Sequence, residues 1–179
     1  MKFAGPIRKE LGIPTIFNIL GPLTNPAGAQ RQLIGVPSVE WTMKLAQGLQ
    51  RLGSKQVMVV HGGDGLCELT TTAETTVVEL RDGQIRGYTI TPKEVGLPKG
   101  NLEEIRISSP EESARMIEQV LSGKAKGTAR NIAVLNAAGA LVVAGIAQDL
   151  KQGVSQAQEA LDSGKAAQKL QALIQFSRT

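Results

Sequence analysis

At 179 residues, with 41% apolar and 20% charged side chains, the chain has material for one core and is expected to form a single globular domain. Aromatic residues make up only 3%, which argues against nucleic-acid recognition by base stacking and makes the core aliphatic and alanine-rich. The net charge of +4 comes without any long basic run, so it fits a solvated surface or an anionic ligand rather than a polyanion-binding tail.

One cysteine forms no internal disulfide, which fits a reducing cytoplasm. Met1-Lys2 is followed by no long apolar region, so no secretory leader is expected. The longest apolar stretch, Ala133–Val143, is too short for a membrane span and carries Asn136 and Gly139.

In chain order, residues 2–11 read as the end of a helix closed by Gly12, with Pro6 in its first turn. Ile16, Phe17, Ile19 and Leu20 have helical spacing. Gly21-Pro22 and Asn25-Pro26 are expected to break that turn into a stiff loop. Preset dihedrals lower the entropy a loop loses on docking a ligand; the competing reading is a turn that only redirects the chain.

Gln32–Val36 reads as a strand. Ser38 is expected to cap a helix with one face of Trp41, Leu45, Leu49 and Leu52, ended by Gly53. Gln56–His61 is a near-continuous apolar run, as in a strand buried on both faces. This βαβ spacing implies two parallel strands. Thr75–Leu80 and Ile85–Ile90 flank Asp82-Gly83, a hairpin signal that predicts an antiparallel edge.

After a long connection, Ser109-Pro110-Glu111-Glu112 is a capping box for a helix to about Ser122, stopped by Gly123. Thr128 is expected to cap a longer helix to about Ala144, apolar nearly all round and central. Asp149 with Gln152 forms another capping box, for a helix ending at Ser163-Gly164. A last helix carries Leu170, Leu173 and Ile174. The fold class is therefore α/β: a mostly parallel sheet with an antiparallel edge hairpin and helices packed around it.

Ligands of open α/β sheets bind beyond the carboxyl ends of parallel strands. The strand Gln56–His61 runs into Gly62-Gly63-Asp64-Gly65-Leu66-Cys67-Glu68, where glycines let backbone approach a ligand and Asp64 and Glu68 offer oxygens to a hard cation such as Mg2+. Carboxylates in such a loop also serve as plain turn formers. His61, the only histidine, reads as a structural residue at a strand end rather than a general base.

Arg8-Lys9-Glu10-Leu11-Gly12, then Thr-Ile-Phe-Asn-Ile-Leu-Gly-Pro-Leu-Thr-Asn-Pro-Ala at residues 15–27, resembles the anthranilate phosphoribosyltransferase family of tryptophan biosynthesis. The likeness continues at Arg31–Val36, Val59–Gly62, Asp64–Leu66, Asn131–Gly145 and Asp162–Ala166. The resemblance implies transfer of a phosphoribosyl group from phosphoribosyl pyrophosphate to anthranilate, in a fold of the nucleoside phosphorylase/phosphoribosyltransferase C-terminal domain type. It implies that Arg8 grips the anthranilate carboxylate, a role suited to a guanidinium's paired donors. Gly21 and Pro22 would line the aromatic substrate's channel. Glu68 would be a Mg2+ ligand; Cys67 stands where the family has aspartate, and a thiol is a poor magnesium ligand, so weaker binding or help from Asp64 is expected.

The family's Gly-Thr-Gly-Gly-Asp, Asn-x-Ser-Thr and Lys-His-Gly-Asn segments find no counterpart here. The resemblance thus implies the C-terminal portion of a longer enzyme, without the helical domain through which the family dimerises, inactive alone and with apolar surface bared. Alternatives are a nucleic-acid-binding relative of the same fold, which has no reason to keep Arg8 with Gly21–Pro26, and a nucleoside phosphorylase, which the Gly21–Pro26 stretch fits less well than it fits the transferase.

Overall fold

The computed structural model describes residues 17–178 together with Gly5, Glu10 and Gly12. The expected helix over residues 2–11 lies largely outside the described residues. From Phe17 onward the order is α1 (Phe17–Leu23), β1 (Arg31–Gly35), α2 (Glu40–Arg51), β2 (Gln56–Gly62), β3 (Thr75–Arg81), β4 (Gln84–Ile90), α3 (Pro110–Leu121), α4 (Thr128–Ala144), α5 (Leu150–Asp162) and α6 (Lys165–Phe176). Two short 3-10 turns, Pro92–Val95 and Leu102–Ile105, punctuate the connection from β4 to α3.

The strands form one sheet in the order β1-β2-β3-β4. β1 and β2 are parallel across α2, with Leu33 beside Met58. β2/β3 and β3/β4 are antiparallel. The α/β class and the edge hairpin are as expected, while the sheet is mixed rather than mostly parallel. The cause is the glycine-rich loop after β2, which turns the chain back beside β2 with no crossover helix. At the hairpin, Asp82 and Gly83 both have positive φ, 51° and 74°. A two-residue turn matched to the twist of its strands needs such angles, and Asp-Gly reaches them at low cost.

Side-chain alternation splits the core between the two sheet faces. Val57, Val59, Val78 and Leu80 pack with Leu45 and Leu49 of α2. Met58, Val60 and Val77 pack with Leu135, Ala138 and Val142 of α4 and Val154 of α5. β2 is therefore buried on both faces, as its composition predicts.

Several local expectations need correction. Gly21 and Pro22 do not break α1; they lie inside its last turn. Pro22 is the last residue but one of α1, so little helix follows the hydrogen bond it removes. The stiff turn comes afterwards: the Asn25 side chain accepts from Ala27 N at 3.0 Å and its carbonyl from Gly28 N at 3.0 Å. Leu52 follows α2 and is 64% exposed, so it is not on the buried face. Ser38 accepts only a long bond from Glu40 N, 3.4 Å, and α2 starts at Glu40.

Thr128 is the first residue of α4 rather than its cap. Its hydroxyl donates to Glu104 at 2.8 Å and accepts from Asn101 N at 3.0 Å. The Glu104 carboxylate also accepts from Thr128 N at 3.3 Å, so a distant side chain caps the helix. At the other end of α4, Arg31 donates to the Val143 carbonyl at 2.8 Å and to Gln56 at 2.6 Å, and Gln56 donates to the Val142 carbonyl at 3.1 Å. A cation there complements the helix dipole.

α4 is central but not enclosed. Its outer side, with Ala137, Ala140 and Leu141, faces a hollow of about 640 Å3 shared with Leu121, Ile146 and Leu161. Ile146 is 62% exposed.

Candidate functional site

The carboxyl ends of β1 and β2 carry the glycine-rich loop, residues 62–72. Its shape is set by its own hydrogen bonds. Gly62 N donates to Leu66 O at 2.8 Å, Gly65 N to Gly62 O at 2.9 Å and Gly63 N to Glu74 O at 2.8 Å. Asp64 sits at the centre. It accepts from Leu66 N at 3.1 Å, from the Thr70 hydroxyl at 2.5 Å and from the Thr72 hydroxyl.

The loop is also clamped from outside. The Leu69 amide donates to Asn136 Oδ1 at 3.1 Å, and Asn136 Nδ2 donates to the Leu69 carbonyl at 2.8 Å. The same nitrogen lies 2.9 Å from Ile132 O and 3.2 Å from Glu68 Oε2. One side chain of α4 thus treats the loop as a sheet neighbour would and reaches Glu68 as well. On the other side, the Cys67 carbonyl rests on Gly35, the last residue of β1; a Cβ there would overlap it.

Electrostatics separates the two carboxylates. Burial pushes against the Asp64 charge, but the hydrogen bonds from Thr70, Thr72 and Leu66 outweigh it, and its carboxyl is held below the usual range. Glu68 moves the other way: partial burial, then the neighbouring Asp64 charge, raises its pKa. Cys67 is a free, exposed thiol. His61 is half-buried and its Nδ1 lies 2.9 Å from the Val36 carbonyl, an acceptor, so that nitrogen carries the proton.

A lowered carboxylate pKa stabilises the fold above its unfolded value, 3.8, and that contribution fades as pH falls through the lower folded value. Asp64→Asn is therefore expected to cost about 1–2 kcal/mol at pH 7, because Asp64 is only partly buried. The difference from the parent should shrink as pH drops below 3.8, as read by urea unfolding across pH. A difference unchanged down to the acid limit would contradict the charged role.

Asp64, Cys67 and Glu68 are thus brought together on one loop. Gly21 and Pro22 are elsewhere. Pro22 lines a hollow of about 260 Å3 with Leu23, Gln30, Gln32, Leu49 and Leu52, at the amino-terminal end of β1, whereas Cys67 touches its carboxyl end. Gly21 is exposed on α1. Arg8 lies outside the described residues. Asn136 is not singled out for a site by sequence; its only signal is an amide within the apolar stretch Ala133–Val143.

The loop by itself offers a magnesium ion few uncommitted oxygens. Both Asp64 oxygens are committed to the loop, Cys67 offers sulfur, and Glu68 is the one remaining carboxylate, already touched by Asn136. Among the described residues, no three His, Cys, Asp or Glu side chains converge as a metal cage. No helix among them is long and apolar enough to cross a membrane.

The fold is a mixed α/β sheet with a glycine-rich loop at the carboxyl ends of its parallel pair, and comparisons with known proteins identify its class. The glycosyl transferase family, a/b domain, matches residues 1–167, and the chain belongs to that family. Similar proteins include anthranilate phosphoribosyltransferases. Those of Parvibaculum lavamentivorans and Beijerinckia indica are 48% and 51% identical, over 97% and 99% of this chain. The matches cover 51% and 52% of those proteins, so the chain spans about half the length of the curated relatives it matches. The Thermus thermophilus anthranilate phosphoribosyltransferase superposes with a TM-score of 0.90 at 42% identity, over all of this chain and 53% of that one. The Saccharomyces cerevisiae enzyme in complex with phosphoribosyl pyrophosphate and Mg gives 0.84 at 31% identity, over 96% of this chain and 49% of that one.

Proposed function

We propose that this chain forms the α/β portion of an anthranilate phosphoribosyltransferase. In that reaction the anthranilate amine attacks C1 of phosphoribosyl pyrophosphate as pyrophosphate leaves, so alignment of the two reactants supplies much of the rate. The observation that carries the reading is the match of nearly the whole chain, at 48–51% identity, to enzymes of that name. Solved yeast relatives bound to 4-fluoroanthranilate and to phosphoribosyl pyrophosphate support the same substrates.

In this reading Arg8 binds the anthranilate carboxylate through paired guanidinium donors. Gly21 and Pro22 shape the aromatic substrate's approach, and Glu68 faces the donor's pyrophosphate side. A helical portion carrying the rest of the pyrophosphate site and the dimer contact completes the enzyme, which works in the cytoplasm.

The test is to produce the chain together with the half of the P. lavamentivorans enzyme that it does not match, and to follow anthranilate fluorescence. Consumption that depends on phosphoribosyl pyrophosphate is expected from the pair and not from the 179-residue chain alone. Arg8→Ala is expected to lower kcat/KM for anthranilate about 100-fold, the loss of one charge-assisted bidentate pair. A co-folded pair without turnover, or an Arg8→Ala pair with full activity, would overturn the reading.

A further inference from the structure

We infer that the 62–72 loop of this chain holds no free divalent cation, and that a carboxylate at position 67 is the one element it lacks. The loop is rigid, glycine-rich and open to solvent at Cys67, so access and strain do not prevent metal binding. What prevents it is the state of each donor. Asp64 is the loop's internal staple: its oxygens already accept from Leu66 N and from the Thr70 and Thr72 hydroxyls. A cation on these oxygens would compete with the contacts that shape the turn. Glu68 alone gives one hard oxygen ligand, and its contact to Asn136 does not release a second one. Magnesium and manganese favour several oxygens in near-octahedral order and bind a lone carboxylate weakly.

Position 67 differs from position 64 in two ways. The Cys67 side chain is exposed, and its backbone is fixed on both sides, by the carbonyl on Gly35 and by the Asn136 clamp at Leu69. A carboxylate placed there would be next to Glu68 in sequence, on a backbone held at the Cys67 carbonyl and at Leu69, and would owe no hydrogen bond to the loop. Two adjacent carboxylates then offer a hard cation what the present pair of thiol and carboxylate does not. The inference concerns this chain's own donors and stands apart from the transfer reaction, because cation binding is counted with no substrate present.

The experiment is Mn2+ titration of the whole chain followed by electron paramagnetic resonance, with far-UV circular dichroism confirming that each variant is folded. The parent is expected to show no site tighter than about 1 mM, and Cys67→Asp to tighten binding at least about tenfold. Adding Glu68→Gln to Cys67→Asp is expected to remove the gain, and Cys67→Ser to produce none. A parent site tighter than about 1 mM that Asp64→Asn abolishes would overturn the inference, since Asp64 would then be a ligand. So would a folded Cys67→Asp chain with no gain, or an equal gain in Cys67→Ser.

Discussion

Gly35→Ala is expected to unseat the 62–72 loop and to lower the unfolding free energy by about 3 kcal/mol, the upper range for forcing an atom into a packed site. The added Cβ would overlap the Cys67 carbonyl, a backbone atom that cannot swing aside as a side-chain tip can. Neither partner has an easy way to retreat. β1 is held by its parallel ladder to β2, extended by Val36 N to Val60 O at 3.0 Å. The loop is held by the Gly62–Leu66 and Gly63–Glu74 bonds and by Asn136. The strain must then break one of these sets, and the loop, which lies outside the sheet, is the one expected to give. Hydrogen exchange should show lost protection at Leu66 and Leu69 while Met58 and Val59 in β2 stay protected. Gly87→Ala in β4 is the control, because a Cβ there meets nothing within 4 Å. Its cost should stay within about 0.5 kcal/mol. Equal midpoints for the two variants in urea would remove the close approach at Gly35 as a structural determinant.

The parts legible in the sequence are those governed by short-range chemistry. Asp82-Gly83 announces its hairpin because few residue pairs reach two positive φ angles. The unbroken apolar run of β2 announces burial on both faces. The helix starts at Ser109 and Asp149 are where the sequence puts them, and both side chains accept the expected amide, from Glu112 N at 3.1 Å and Gln152 N at 2.8 Å. Their return arms reach one residue further out, to Ser108 N and Gln148 N, both in place of the cap amide. A complete capping box at Thr91 and Glu94 goes unread because it opens only a 3-10 turn.

What the sequence does not carry is anything decided across the fold. Nothing near Thr128 says that Glu104 caps its helix. Nothing near Asp64 says that two threonine hydroxyls will use up its oxygens, so it reads equally well as a cation ligand or a turn former. Gly21-Pro22 reads as a helix break because propensity assumes an interior position, whereas α1 ends at Leu23. The sheet reads as mostly parallel because the turn after β2 gives no periodic signal.

Asn136→Ala is the second substitution with a large expected effect, about 3 kcal/mol of lost stability, because each unsatisfied buried backbone group costs about 1–3 kcal/mol and local relaxation toward solvent recovers part of the sum. Leu69 is fully buried, and Asn136 supplies a partner to both its amide and its carbonyl. Alanine leaves both groups facing an apolar helix. A purely steric role predicts something different: Asn136→Leu would fill the space and restore stability. Asn136→Asp separates hydrogen bonding from shape in another way. It keeps an acceptor for the Leu69 amide, loses both donated protons and puts a charge close to Glu68 Oε2, which now accepts from the amide at 3.2 Å. Glu68 is already pushed toward its neutral form by burial and by Asp64. The aspartate variant should therefore be the least stable of the three at pH 7. It should recover as the pH is lowered and one carboxyl of the pair takes up a proton, since like charges this close do not both stay ionised at low cost. Denaturant midpoints for the three variants between pH 4.5 and pH 7 measure this directly, starting from the ordinary glutamate value. Parent-like stability in Asn136→Leu, or an Asn136→Asp midpoint that does not move with pH, would mean that α4 holds the loop by packing alone and that Glu68 owes its position to something other than this amide.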